Sequence, residues 1–379
     1  MALHGTSPWV IEGLPGLAQI SPVPFELAYS ILPSGVSSRS LAAIGLRIFY
    51  VVDQKRIEST VVGWSRQPQV VATAPACYTI NQVVAAGHEV AYVMSWPIGM
   101  PLETTGCGSP ASTAWSLWLL DLQVGDSRPV AAGVTSGGTG RAGLAPVHVA
   151  LSDTAYAFER SASTVLPGQS AGPATGNPAA AEVIEVHSLV DGSLLWSTPS
   201  DEPVADVMLG GSRLAVLETA PDGLGAGYRL QVADEADPAL RTVASPASAA
   251  AISADGSYLA WDVDGGDGNA TGVALRDLSS GQTVIVPARS SSSAPQPLDP
   301  AVSSSSLGPI VAWLATANGG SVYPAFRTPA DDRGTAIASV QVTAWVSLQG
   351  SVLIWAAAAA DGSLGVAYAL DLAAARLGA

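Results

Sequence analysis

Seven near-copies of one eight-residue phrase run through this 379-residue chain, and they leave few folds open to it. The copies begin Gly45-Leu-Arg-Ile-Phe-Tyr50, Gly87-His-Glu-Val-Ala-Tyr92, Leu151-Ser-Asp-Thr-Ala-Tyr156 and Gly211-Ser-Arg-Leu-Ala-Val216. The last three begin Gly256-Ser-Tyr-Leu-Ala-Trp261, Leu307-Gly-Pro-Ile-Val-Ala312 and Gly350-Ser-Val-Leu-Ile-Trp355. Their starts lie 42 to 64 residues apart, a spacing that marks radial β-repeats. An apolar run precedes each phrase, as in Val83-Val84-Ala85-Ala86, and a third often follows, as in Trp118-Leu119-Leu120-Asp121-Leu122. A short fourth run closes the unit, as in Gln282-Thr283-Val284-Ile285-Val286. Short apolar runs cut by Gly, Asp, Ser and Pro, without a long amphipathic helix, predict an all-β chain.

Four strands per unit of this length describe a β-propeller blade. The fifth unit carries the pattern most fully, as Ser253-Ala-Asp-Gly-Ser-Tyr-Leu-Ala-Trp261 followed by Asp277-Leu-Ser-Ser-Gly281. It resembles the repeat of TolB-like and WD40-like propellers. Units two, three and seven keep pieces of it; units one and six match only in hydrophobic pattern. The resemblance implies one seven-bladed β-propeller over residues 1–379, with approximate blades at 39–75, 78–133, 145–199, 203–245, 247–289, 299–338 and 339–377. The last unit supplies only three strands before the chain stops, so a strand within 9–25 (Val10-Ile11 or Ala18-Gln19-Ile20) is expected to complete it and close the ring. Six blades plus a stray sheet is the alternative.

Composition narrows function mainly by exclusion. Acids outnumber bases 31 to 16, for a net charge of −15, and no basic stripe exists to neutralise nucleic-acid phosphates. An anionic membrane surface is disfavoured for the same reason. The longest apolar run, Val352 to Ala360, is too short to span a bilayer, so no membrane insertion is expected. The N-terminus shows neither the basic nor the apolar region of a secretory signal. Cys77 and Cys107, the only cysteines, are expected to form a disulfide that tethers a Gly/Ser/Pro insertion and places the chain in an oxidising compartment.

Several constellations could carry chemistry. Asp262, Asp264 and Asp267, spaced by glycines, could wrap Ca²⁺, although Gly266 occupies a ligand position of the usual calcium loop and no bidentate glutamate follows. Trp96 and Trp115 flank the first insertion and are candidates for an exposed binding platform, whereas Trp261, Trp313 and Trp355 recur at repeat positions and read as inter-blade core. Gly168-Gln-Ser-Ala-Gly172 matches a nucleophile elbow and Gly138-Thr-Gly-Arg-Ala-Gly143 a dinucleotide loop. Neither has the strand and helix that give such motifs their use. His148 is expected on an inner strand, and His88 in a solvated turn. Glu89, Glu159, Glu218 and Asp262 would matter to an enzyme only if they converged across blades.

The insertions 95–114, 160–180 and 262–272 all fall between second and third strands, hence at one end of a propeller, and point to one working face. No catalytic set and no cofactor motif is visible. The expectation is a monomeric, non-catalytic module that binds an unknown protein or glycan, as the extracytoplasmic part of a bacterial envelope or secreted protein. The rival is a glycoside hydrolase or lyase with its site in the central depression.

Overall fold

The glycine that opens most copies of the phrase turns the chain in the left-handed region, with φ of +58° at Gly87 and +72° at Gly256. A side chain is strained there, and such turns match the twist of the hairpins they join. In the computed structural model each phrase accordingly folds as a tight turn followed by the second strand of a blade. The structure describes residues 28–32, 36–64, 67–97, 112–136, 147–160, 164, 182–220, 227–264, 270–287, 298–316, 322–330, 334–337, 343–358 and 364–377.

The first strand, β1 (Ala28–Ile31), stands apart from the blade that follows it in sequence. Blade 1 is β2 (Val36–Ile44), β3 (Arg47–Val52), β4 (Arg56–Val61) and β5 (Gln69–Thr73). Blade 2 is β6 (Thr79–Ala86), β7 (Glu89–Pro97), β8 (Ser112–Asp121) and β9 (Ser127–Ser136). Blade 3 is β10 (Val149–Leu151), β11 (Ala155–Arg160), β12 (Glu182–Ser188) and β13 (Leu194–Ser200). Blade 4 is β14 (Val204–Gly210), β15 (Arg213–Thr219), β16 (Tyr228–Asp234) and β17 (Arg241–Ala247). Blade 5 is β18 (Ala250–Ile252), β19 (Tyr258–Asp264), β20 (Ala270–Asp277) and β21 (Thr283–Pro287). Blade 6 is β22 (Ala301–Ser305), β23 (Gly308–Thr316), β24 (Val322–Arg327) and β25 (Thr335–Ala336). Blade 7 holds β26 (Thr343–Gln349), β27 (Val352–Ala358) and β28 (Leu364–Asp371), and α1 (Leu372–Leu377) follows it. Among the described residues no helix is long and apolar enough to cross a membrane.

Every blade is a four-stranded antiparallel sheet, so the fold is the seven-bladed propeller and not the six-bladed alternative. The ring closes when β1 adds to the outer edge of β28, with Ala28 opposite Ala369 and Ile31 opposite Val366. An N-terminal outer strand was expected, but from residues 9–25; those residues lie outside the described ones, and the closing strand is Ala28–Ile31. Pairing decides the correction: Ala28–Ile31 lies in register with Val366–Ala369 of β28, and only four residues, 32–35, separate it from Val36 at the start of β2.

One apolar cluster fills each of the seven gaps between neighbouring blades, the gap between blades 7 and 1 included. Second strands are thus covered on both faces, which is why Ile48, Phe49, Tyr50 and Val51 are buried in a row without alternation.

Candidate functional site

An aspartate that ends the third strand recurs around the ring and has a local structural job. Oδ1 of Asp121 accepts from the backbone N–H of Gln123 (2.7 Å) and Val124 (3.3 Å). Asp277 does the same for Ser279 and Ser280, Asp371 for Ala373 and Ala374, and Asp234 for Ala236 and Asp237. Each carboxylate thereby satisfies the donors of the segment that leaves the third strand, a turn into the outer strand in blades 2, 4 and 5 and the start of α1 in blade 7. Register places it opposite the first residue of the second strand: Arg213 faces Asp234, Tyr258 faces Asp277 and Val352 faces Asp371. In blade 4 the pairing joins opposite charges, with Arg213 Nε 4.0 Å from Asp234 Oδ2.

In blade 2 the same position is Glu89, so two acids face each other. Directly opposed like charges destabilise an antiparallel pair. Glu89 is only 7% exposed, and its Oε2 has no hydrogen-bond partner. Burial, with the Asp121 charge adding to it, pushes the Glu89 carboxyl above the usual carboxylate range. His88, exposed in the preceding turn, brings an imidazole nitrogen to the pair, and the donor atoms of His88, Glu89 and Asp121 lie within 4.8 Å of one another.

The trio lines a cavity of about 450 Å³ between blades 2 and 3, together with Asp126, Arg128 and Asp153. Close approach of the two blades positions Asp153, since a Cβ on Gly87 would meet its Oδ1 at 3.3 Å. Arg128 spans the gap by donating to the Leu189 carbonyl at 2.7 Å. Val124 and Val190, 70% and 92% exposed, stand at the rim. Four carboxylates against one guanidinium make this a cavity for a cationic group, with apolar surface beside it.

The residues singled out in the sequence fare differently. Asp262 is 1% exposed, and its Oδ1 accepts from the N–H of Ser248 (2.8 Å) and Ala249 (2.9 Å) while Oδ2 takes the Ser248 hydroxyl. It anchors the crossing from β17 to β18, which takes it out of the set expected to wrap Ca²⁺. Asp264 ends β19 on the same strand, and Asp267 lies outside the described residues. Trp115 is not a platform: it is 1% exposed and packs with Leu117, Val149 and Phe158 in the core between blades 2 and 3. Trp96, one residue along the opposite strand's register, stacks on Tyr78 with ring centroids 4.6 Å apart. Cys77 is disulfide-bonded; Cys107 lies outside the described residues.

The other titratable candidates are engaged internally. Glu218 accepts from Arg229 (2.7 Å) and from the Ser200 hydroxyl (2.6 Å). His187 sits between Glu185 and the Gly192 carbonyl, at 3.0 Å from each, and Arg160 holds the other oxygen of Glu185. His148 precedes β10, half-buried, and burial lowers its basicity. Asp206 on the inner strand β14 is pushed up to about 6 by burial.

The sequence pointed to the opposite end of the ring. The three insertions, whose residues lie largely outside the described ones, follow second strands, whereas this cavity is built from the turns before second strands and after third ones. His88 and Asp121 were legible only as turn residues. The available hint was the substitution of Glu89 where unit four of the repeat carries Arg213.

No family model and no curated protein sequence matches the chain. Among solved structures, a chain in the crystal structure of the mitotic checkpoint complex superposes with a TM-score of 0.52 at 11% identity, covering 98% of this chain and 98% of that one. The β-propeller domain of the Trilobed protease from Pyrococcus furiosus gives 0.53 at 10% identity, over 89% and 95%. TolB from Acinetobacter baumannii gives 0.41 at 14% identity, over 90% of this chain and 63% of that one. What the chain shares with the first two of these structures, at such identities, is the β-propeller fold alone.

Proposed function

We propose that this propeller is a non-catalytic binding module that receives a cationic, partly apolar group of a protein or glycan partner in the cavity between blades 2 and 3. The observation that carries the reading is the Glu89–Asp121 pair, two facing acids in a cavity whose four carboxylates outnumber its one guanidinium, Arg128. Elsewhere in the ring the buried acids Glu185, Glu218 and Asp262 are satisfied by side chains or backbone N–H groups beside them. Exposed Val124 and Val190 supply the apolar contact, and the net charge of −15 favours a basic partner. The disulfide at Cys77 supports an extracytoplasmic address, in the envelope or among secreted proteins.

Arrays of basic peptides and of glycans, probed with the folded protein, test the reading. Bound probes should be lost in the Asp126→Asn/Asp153→Asn double variant, with affinity down tenfold or more, and should weaken as salt rises. Binding indifferent to that variant overturns it. A second reading uses the same cavity: a raised Glu89 beside Asp121 is the asymmetry by which paired carboxylates divide acid and base roles in glycan cleavage. Turnover of a glycoside or uronate panel by the wild type, abolished in Glu89→Gln, would favour that reading.

A further inference from the structure

The acids of the cavity are arranged for a smaller and harder occupant as well. We propose that His88, Glu89 and Asp121 are the protein ligands of a divalent transition-metal ion of the Zn²⁺ type, an inference that rests on the reading of this cavity as the binding site. Four observations converge. First, one nitrogen and two carboxylate oxygens lie within 4.8 Å of one another, a separation that small side-chain adjustments convert to coordination around one ion.

Second, Oε2 of Glu89 is buried without any partner, and a buried acceptor left unpaired is costly unless something occupies it. Third, the repeat supplies an internal comparison. At the equivalent cross-strand position blade 4 places a guanidinium beside its turn aspartate, and blade 2 places a second acid. Blade 2 has no guanidinium at that position; its Arg128 lies on β9 and donates to the Leu189 carbonyl, so a single arginine stands against the facing acids and their acidic neighbours. Fourth, the ligands are held in place before any ion arrives. The Gln123 and Val124 N–H groups fix Oδ1 of Asp121, and the Leu122 N–H donates to the His88 carbonyl at 2.8 Å, tying the two ligand-bearing turns together. Such supporting hydrogen bonds are what orient ligands toward a metal.

The donor set selects among ions. An imidazole with two carboxylates suits Zn²⁺ and its neighbours better than Ca²⁺, which prefers six to eight oxygens. Three protein ligands leave a coordination position open to the cavity, available to water or to a neutral or anionic oxygen or nitrogen donor.

The experiment is calorimetric titration of untagged, EDTA-stripped and dialysed protein with Zn²⁺, and with Mn²⁺ and Ca²⁺ for comparison. One Zn²⁺ per chain should bind, more tightly than Ca²⁺. Glu89→Gln and His88→Ala should each weaken binding at least tenfold, while their metal-free circular dichroism matches the wild type. The metal-free unfolding midpoint of Glu89→Gln should equal or exceed that of the wild type, because the variant removes the facing charges. Absence of stoichiometric binding, or binding kept by both variants, overturns the site. Retention of array probes by metal-free protein that binds no Zn²⁺ would overturn the metal site alone and leave the binding-module reading standing.

Discussion

A Cβ on Gly133 would stand 2.6 Å from Cζ2 of Trp115, its direct partner across β8 and β9. The indole fills the space that any larger residue would need. Gly133→Ala is therefore expected to overpack the core between blades 2 and 3 and cost about 1–3 kcal/mol. Trp115→Ala should cost about 3–5 kcal/mol by leaving a cavity. Urea unfolding followed by tryptophan fluorescence measures both. Neither change should alter probe binding except through stability; a Trp115 variant that folds normally but loses a ligand would restore the tryptophan to the binding surface.

Arg229 and Glu218 test how far internal neutralisation matters. Glu218 is fully buried, and removing its partner strands a charge in the core. Arg229→Ala should cost about 3 kcal/mol, and Glu218→Gln in that background should recover part of it. The exposed Arg241–Asp237 pair is the control, expected to contribute only about 0.2–1 kcal/mol. Equal losses at the two sites would refute the distinction.

Asp206 gives stability an unusual pH slope. Its carboxyl is raised from 3.8 to about 6, so the native state holds the proton more tightly than the unfolded chain does. Its contribution to stability is fully present below about pH 4, falls as pH rises through 6, and stays lost above. Asp255 and Asp277, lowered to about 2 by hydrogen bonds from neighbouring serines and backbone N–H groups, act in the opposite sense: their contribution is lost as pH falls from 3.8 toward 2. Asp206→Asn keeps the acceptor for the Val207 N–H and removes the upper slope. Its unfolding free energy should match the wild type near pH 4 and exceed it by on the order of 2 kcal/mol at pH 7. Parallel curves would exclude Asp206 as the cause.

Ring closure rests on a four-residue strand. Deleting the chain through Ile31 bares the edge of β28, which then offers unpaired backbone groups to another molecule. The truncated protein should melt earlier and self-associate in size-exclusion chromatography. An unchanged monomer with an unchanged midpoint would mean that β1 contributes little to holding blades 7 and 1 together.

The disulfide at Cys77 stabilises chiefly by restricting the unfolded chain. Bridged to the only other cysteine, it would close a loop of about 30 residues, for which loop entropy predicts about 3 kcal/mol. Cys77→Ser should lose that amount, and dithiothreitol should lower the wild type to the same level without affecting the variant.

Local chemistry made much of the ring legible in advance. Turn glycines with positive φ, β-branched second strands and the recurrent third-strand aspartate act within a single hairpin, so their pattern survives in the linear order of residues. They determined the all-β class, the repeat and the count of seven. The closing strand was misplaced because its position depends on which N-terminal segment comes to lie along β28, a pairing that only the assembled ring displays. Trp115 and Asp262 were misjudged for a related reason: one is buried by a neighbouring blade, the other is consumed by the backbone of a linker fourteen residues away in sequence. The site itself belongs wholly to tertiary structure. Glu89 meets Asp121 through strand register, Asp153 arrives from blade 3, and the cavity is lined by turns of both blades. Hydrophobic periodicity dictates that blades form, whereas charge convergence depends on which strands and blades then become neighbours.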